Sequence, residues 1–179
     1  DAGSPASNII ETKLLINSVI LDVHKGARFM SMDLEDYFLS TPMLRPKYMK
    51  VKYSNIPSDI RKRYHLDNKV TNDGYLYIKI KKGMYGLKQA AVLAYNQLRA
   101  NLKPAGYSPI VGTVGMSQHN TRRTKYCLCV DNFGVKVFNK DDANHLLQAI
   151  GQHYTYTTDC EGNNYCGLTF AWHYTEGYV

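Results

Sequence analysis

The amino-acid sequence predicts an α+β fold, a small antiparallel sheet backed by helices, and three observations carry that expectation. Alternating apolar and polar runs come in clusters, as over residues 75–81 and 125–138, with helical patterns between them. A hydrophobic content of 44% beside 21% charged residues is ordinary for a globular chain and excludes a disordered one. The 179 residues suffice for one domain with a proper core.

Taken in order, the first element is a helix. Asn8 and Glu11 stand at capping-box spacing after Pro5 has stiffened the approach. Ile9, Ile10, Leu14, Leu15, Ile16, Val19, Ile20 and Val23 recur at helical spacing and are expected to face a core, with Gly26 as the stop. A strand follows over 28–32. Pro42 and Pro46 break regularity, and 48–53 alternates as a strand does. Residues 58–66 read as a short basic helix in which Arg61, Lys62 and Arg63 are consecutive, either a solvated face or a contact to nucleic-acid phosphates. Asn72-Asp73-Gly74 is a turn, and 75–81 an amphipathic strand. Gly83 and Gly86 bracket Met84-Tyr85 ahead of a long helix over 87–102 that ends near Pro104 and Gly106.

Residues 109–123 are polar and poorly periodic, a loop with one short strand. The stretch 125–138 is a hairpin, with Asp131-Asn132 as its two-residue turn. A helix then starts near Asp141-Asp142, its apolar face formed by Ala143, Leu146, Leu147 and Ile150; His145 and His153 are left on the surface. Two strands over 154–158 and 165–172 close the chain, separated by the turn Glu161-Gly162-Asn163.

Charge and cysteine usage narrow the partners. The 22 Lys and Arg against 15 Asp and Glu give a net +7, a balance that favours polyanions such as nucleic acid. Fifteen Tyr supply rings for base stacking or for half-buried strand positions. Cys127 and Cys129 share a strand face and Cys160 and Cys166 flank a turn; neither spacing is a zinc CxxC, so buried free thiols in a reducing, intracellular compartment are expected. No signal peptide and no apolar run of about 18 residues is present, so no membrane partner is expected. Both ends lack a boundary signal, which reads as a fragment of something longer.

The chemistry rests on two acids. Asp33 ends an apolar run, and Asp131 sits on the hairpin turn roughly a hundred residues later. If the two strands are neighbours, the carboxylates can share a hard divalent cation, whose remaining positions are filled by water and phosphate oxygens.

The residues around these acids resemble a known family. Met32-Asp33-Leu34-Glu35-Asp36-Tyr37-Phe38-Leu39-Ser40-Thr41-Pro42-Met43 is similar to motif A of the reverse transcriptases of copia-type LTR retrotransposons. Gly83-Met84-Tyr85-Gly86-Leu87-Lys88-Gln89-Ala90 resembles their motif B, usually written YGLKQA, and Cys129-Val130-Asp131-Asn132 stands where they carry YVDD, motif C. Tyr165-Cys166-Gly167-Leu168-Thr169-Phe170 resembles the segment that follows motif D and helps hold the primer. The similarity covers nearly the whole chain, in order.

The resemblance implies a single right-hand polymerase domain, palm with part of the fingers and thumb absent, cut from a longer polyprotein. It implies RNA-directed DNA polymerisation with Mg²⁺ (or Mn²⁺) held by Asp33, Asp131 and the carbonyl of Leu34. Asp36 and Tyr37 would offer amides to the triphosphate, Phe38 would exclude a 2′-hydroxyl, and Tyr85, Gly86, Lys88 and Gln89 would line the nucleotide and template side. Partners would be an RNA or DNA template-primer and deoxynucleotides; the place of action would be cytoplasm, virus-like particle or nucleus. The oligomeric state is not implied. The chain departs from the pattern at Asn132, where the family carries a second catalytic Asp. Losing one anion beside divalent cations costs several kcal/mol of attraction, on the order of 4 kcal/mol at about 4 Å and a dielectric near 20. The alternative expectation is therefore an inactive, decayed or repurposed palm that binds nucleic acid or a protein partner.

Overall fold

Strand β1 (Arg28–Leu34) lies inside a six-stranded antiparallel sheet, and the other elements are arranged about it. The protein was analysed as a computed structural model that describes residues 6–179; Pro5 lies outside them. Among the described residues the chain forms four α-helices and three sheets, an α+β arrangement. The remaining strands of the main sheet are β4 (Tyr107–Pro109), β5 (Met116–His119), β6 (Lys125–Cys129), β7 (Asn132–Val137) and β8 (Tyr156–Asp159), in the order β4-β5-β6-β7-β1-β8.

Side-chain alternation gives this sheet two different faces. Met30, Met32 and Leu34 of β1 lie on one face with Tyr126, Leu128, Phe133, Val135 and Val137. Helices α3 (Lys88–Leu102) and α4 (Lys140–Gly151) cover that face, through Ala90, Ala94, Leu98 and Leu102 and through Leu146, Ala149 and Ile150. Asn139 caps α4, accepting the Asp142 N–H at 2.8 Å. The opposite face carries Phe29, Cys127 and Gly134, and helix α1 (Ile9–Leu21) packs there through Leu15, Ile16 and Val19.

The start of α1 is held by the expected capping box: the Glu11 N–H donates to Asn8 Oδ1 at 2.9 Å and the Asn8 N–H to Glu11 Oε2 at 3.0 Å. Glu11 Oε1 also accepts the Val114 N–H at 2.7 Å, so this buried acid is satisfied. At the other end the buried Lys136 ammonium donates to the Ser18 carbonyl at 2.6 Å and to Asp22 at 2.7 Å. Ile9, Ile10 and Leu14, expected in the core, are exposed instead, and Ile20 and Val23 are half-buried. The apolar positions run round most of the helix, while a flat sheet covers only one stripe of it.

The stretch after β1 leaves the sheet. Strand β2 (Pro42–Lys52) pairs with β3 (Tyr75–Lys82) as a separate two-stranded ribbon, with a register irregularity between Pro42 and Lys47 around Pro46. The basic helix α2 (Ser58–Arg63) joins them and is shorter than expected, because a left-handed His65 (φ 49°) precedes a 3₁₀ turn at Leu66–Lys69. The final expected strand over 165–172 is likewise reduced to a small hairpin, β9 (Asn164–Tyr165) and β10 (Leu168–Thr169), whose turn holds Cys166 at φ 50° and Gly167 at φ 77°.

Two surface assignments change as well. His145 is half-buried, with its Nδ1 3.1 Å from the Tyr107 hydroxyl and its ring edge-on to His119 at 5.0 Å. All four cysteines are free as expected, but only Cys127 is buried; Cys129 is partly covered and Cys160 and Cys166 are exposed. Among the described residues no helix is long and apolar enough to cross a membrane.

Candidate functional site

Asp33 and Asp131 meet at one end of the main sheet. In the β1–β7 ladder Asp33 stands opposite Asn132, and the Leu34 N–H donates to the Asp131 carbonyl at 3.0 Å. That bond makes Asp33 and Asn132 a non-hydrogen-bonded pair, the closer of the two antiparallel spacings, with Cα atoms about 4.5 Å apart. It also aims the backbone edge of Leu34 at the hairpin tip, since a strand residue's N–H and C=O point to the same side. Asp33, Asp131 and the Leu34 backbone thus lie at the same sheet end, near enough for the Asp131 charge to act on the Asp33 carboxyl.

The turn is not the expected one. Cys129 pairs with Asn132, so Val130-Asp131 are the two loop residues and Asn132 belongs to β7. Val130 takes φ 61°, a conformation β-branched residues rarely adopt. Asp131 is thus at the tip and Asn132 on the sheet, facing Asp33.

Hydrogen bonds orient the tip. The Asn132 amide donates to Asp131 Oδ1 at 2.9 Å, and the Tyr85 hydroxyl donates to Asp131 Oδ2. That bond to the carboxylate, with some burial, pushes the Tyr85 phenol up to about 12, so it remains a donor at neutral pH. Burial raises the Asp33 carboxyl above the usual carboxylate value, and the charges of Asp131 and Glu35 push it the same way.

The residues after Asp33 form a turn, with Asp36 at φ 49° and exposed. Tyr37 and Phe38 are buried in the core under the sheet. The Tyr37 side chain cannot reach a ligand from there; only its backbone is available. Phe38 meets the Tyr85 ring edge-on, centroids 4.7 Å apart. Motif B is pinned to this turn: the Gly83 N–H donates to the Thr41 carbonyl at 2.8 Å, and a Cβ on Gly83 would lie 2.6 Å from the Phe38 carbonyl oxygen. Gly86 follows at φ 87°, a backbone that needs glycine. Lys88 and Gln89 are exposed in the first turn of α3 and line a cleft of about 210 Å³ with Met43, Lys47 and Leu87.

Arg61, Lys62 and Arg63 do not join this cluster; they lie on α2 in the ribbon connection. Arg61 is stacked over the Tyr53 ring at 4.7 Å, whereas Lys62 and Arg63 are exposed. Sequence reasoning missed most of the groups that complete the wall on the other side of Asp33; of them only Cys166 lies in a segment that the resemblance singled out. Ser31, Thr157, Asp159, Asn164 and Cys166 line a cleft of about 320 Å³ with Asp33 and Asn132. Asp159 is used locally, accepting the N–H groups of Glu161, Gly162 and Asn164 at 3.0 to 3.1 Å. The pairing of β8 with β1 brings in Thr157 and Asp159, and the bond from the Ser31 hydroxyl to the Asn164 carbonyl brings in the β9 hairpin; nothing local in the sequence signals either.

Among the described residues no group of three or more His, Cys, Asp or Glu side chains is placed to hold a metal ion. The donors at the sheet end are two carboxylates and backbone oxygens. No family model, curated protein or solved structure matches the chain.

Proposed function

We propose that this chain is the palm, with part of the fingers, of a copia-type reverse transcriptase that adds deoxynucleotides to a primer on an RNA or DNA template. The observation that carries the reading is the in-register meeting of Asp33 and Asn132, which sets Asp131 at the hairpin tip with its backbone bonded to Leu34. Mg²⁺ or Mn²⁺ bound there would supply the Lewis acidity for in-line attack on a nucleoside triphosphate. The donor set suits such an ion: it is all oxygen, and hard cations take one or two carboxylates and fill the rest with water and phosphate. Asp33, Asp131 and the Leu34 carbonyl are the groups that would hold it. Burial, and then the charges of Asp131 and Glu35, raise the Asp33 carboxyl, and the charge part is of the kind that a bound cation would offset.

The other residues take positioning roles. The Asp36 and Tyr37 amides lie in the turn that follows Asp33 and would meet the triphosphate. Phe38, its ring set edge-on against Tyr85 at the rim of the core, would come near the sugar and disfavour a 2′-hydroxyl. Lys88 and Gln89, on the N-terminal turn of α3, would face phosphate where the helix dipole favours anions. Arg61, Lys62 and Arg63 would contact the template-primer backbone away from the centre. Such an enzyme acts within the cell, in cytoplasm, virus-like particle or nucleus.

A second reading is favoured by one observation: the neutral Asn132 amide, bonded to Asp131, stands where a second anion would face Asp33. An inactive palm that retains nucleic-acid or protein binding has the same surface. Primer extension separates the two, comparing the chain with Asp33→Ala and Asn132→Asp in Mg²⁺ and Mn²⁺. Extension by the parent that vanishes with Asp33→Ala supports the polymerase. Extension by Asn132→Asp alone supports the inactive palm, and extension that survives Asp33→Ala overturns the site.

A further inference from the structure

The β2–β3 ribbon has two unlike faces. Directly opposed residues share a face, and the ladder opposes Tyr48 to Lys79, Lys50 to Tyr77 and Lys52 to Tyr75. Three successive positions therefore each hold one ring and one ammonium group. The alternate positions, Met49, Val51, Leu76, Ile78 and Ile80, form the other face, apolar except for Lys47 at its end. All three rings, each beside a lysine, thus stand on one side of the ribbon.

This side is open. Tyr48 is 65% exposed and Tyr77 57%, and the lysines are all exposed. Lys50 lies over the Tyr75 ring at 4.1 Å and within 5.9 Å of Tyr77. It is also paired with Asp73, at 2.8 Å, in the turn that leads into β3. An exposed pair of this kind contributes little to stability, so stability alone does not account for the pattern. Rings kept in water beside lysines cost apolar burial that the fold forgoes.

We propose that this face binds single-stranded nucleic acid, with Tyr48, Tyr75 and Tyr77 stacking on bases and Lys50, Lys52 and Lys79 holding the phosphates between them. Alternation of flat apolar rings with cations matches a chain that alternates bases with phosphates, and the net charge of +7 favours a polyanion. An acidic protein surface would use the lysines and leave the rings idle. A duplex keeps its bases stacked on each other, so it offers the rings no base face and engages the lysines alone. Unpaired bases use both features. The binding follows from the ribbon's own chemistry and holds whether or not Asp33 and Asp131 support catalysis.

The test is fluorescence anisotropy with the whole chain, without divalent metal, using a labelled 15-nucleotide oligothymidylate, an oligouridylate and a duplex of the same length. The parent is expected to bind both single strands more tightly than the duplex. Tyr48→Ala and Tyr77→Ala should each weaken binding about tenfold, while Tyr48→Phe and Tyr77→Phe bind as the parent does. Tyr48→Leu and Tyr77→Leu keep apolar bulk in the strand but lose the aromatic face; they decide the matter should the alanine variants fold poorly, and a loss here supports stacking. Replacing Lys50, Lys52 and Lys79 by Gln should lower the salt slope by about 0.7 for each lysine. Binding that ignores loss of the rings, or a duplex that binds as tightly as the single strands, overturns the proposal. Extension with ring-independent binding removes this inference and leaves the polymerase standing; ring-dependent binding without extension does the reverse.

Discussion

Asn132→Asp tests the geometry of the sheet end without relying on turnover. The substitution places a third carboxylate opposite Asp33, in the close pair that the Leu34 to Asp131 hydrogen bond defines. Two unit charges about 5 Å apart repel by roughly 3 kcal/mol at a dielectric near 20, and exposure of the site to water lowers this to about 1 kcal/mol. A second repulsion of similar size comes from Asp131, whose hydrogen bond from the Asn132 amide is lost at the same time. Together these destabilise the metal-free protein by about 2 kcal/mol, or about 4–8 °C in Tm for a chain of this length. Mg²⁺ should reverse the order, because a divalent cation meets three anions in the variant and two in the parent. Thermal unfolding in EDTA and in millimolar Mg²⁺, for both proteins, reads the two effects. Equal Tm values in EDTA, or equal responses to Mg²⁺, refute the placement of residue 132 beside Asp33.

Two further outcomes follow from contacts elsewhere. Gly83→Ala puts a Cβ 2.6 Å from the Phe38 carbonyl, a backbone atom with no flexible end to yield. It should cost about 1–3 kcal/mol in urea unfolding and, if the enzyme is active, reduce selection against ribonucleotides as Phe38 shifts. Hydrogen bonds from Lys136 and then Lys25 hold the Asp22 carboxyl well below its ordinary value of 3.8. The folded state then binds fewer protons than the unfolded one, so the pair's contribution is complete above about pH 4 and fades as the pH falls further. Asp22→Asn should flatten the loss of stability below that pH in urea unfolding; an unchanged acid limb removes the linkage.

The sequence exposes those parts of the fold where one face is uniformly apolar. Met30 and Met32 alternate with Phe29 and Ser31 in β1, and α3 and α4 show single apolar stripes, so all three were legible. The same held for the capping box of α1, which is local chemistry. The packed side of α1 was not legible, because its apolar residues do not mark one stripe and only the sheet decides which of them it covers. That Asp33 and the hairpin tip share one end of the sheet was expected from motif order, whereas the wall supplied by β8 and β9 depends on pairings far apart in sequence. The meeting of His119 and His145 is of the same kind.

The hairpin turn shows the competition most clearly. Asp and Asn are the residues that local chemistry prefers in a two-residue loop. Phe133, Val135 and Val137 must nevertheless face α3 and α4, and Met32 opposite Phe133 sets their register against β1. A shift of one residue would turn each of them to the other face. The core therefore decides, and Val130 is carried into a left-handed conformation that costs roughly 1–2 kcal/mol. Its effect is to lift Asp131, not Asn132, to the tip, where Tyr85 and the Leu34 backbone meet it. Strain of this size persists only where surrounding structure imposes it, and it gathers where a side chain must be held at a set place. A backbone that accepts it at Val130 brings the Asp131 charge near enough to push the Asp33 carboxyl up, beyond what burial alone does.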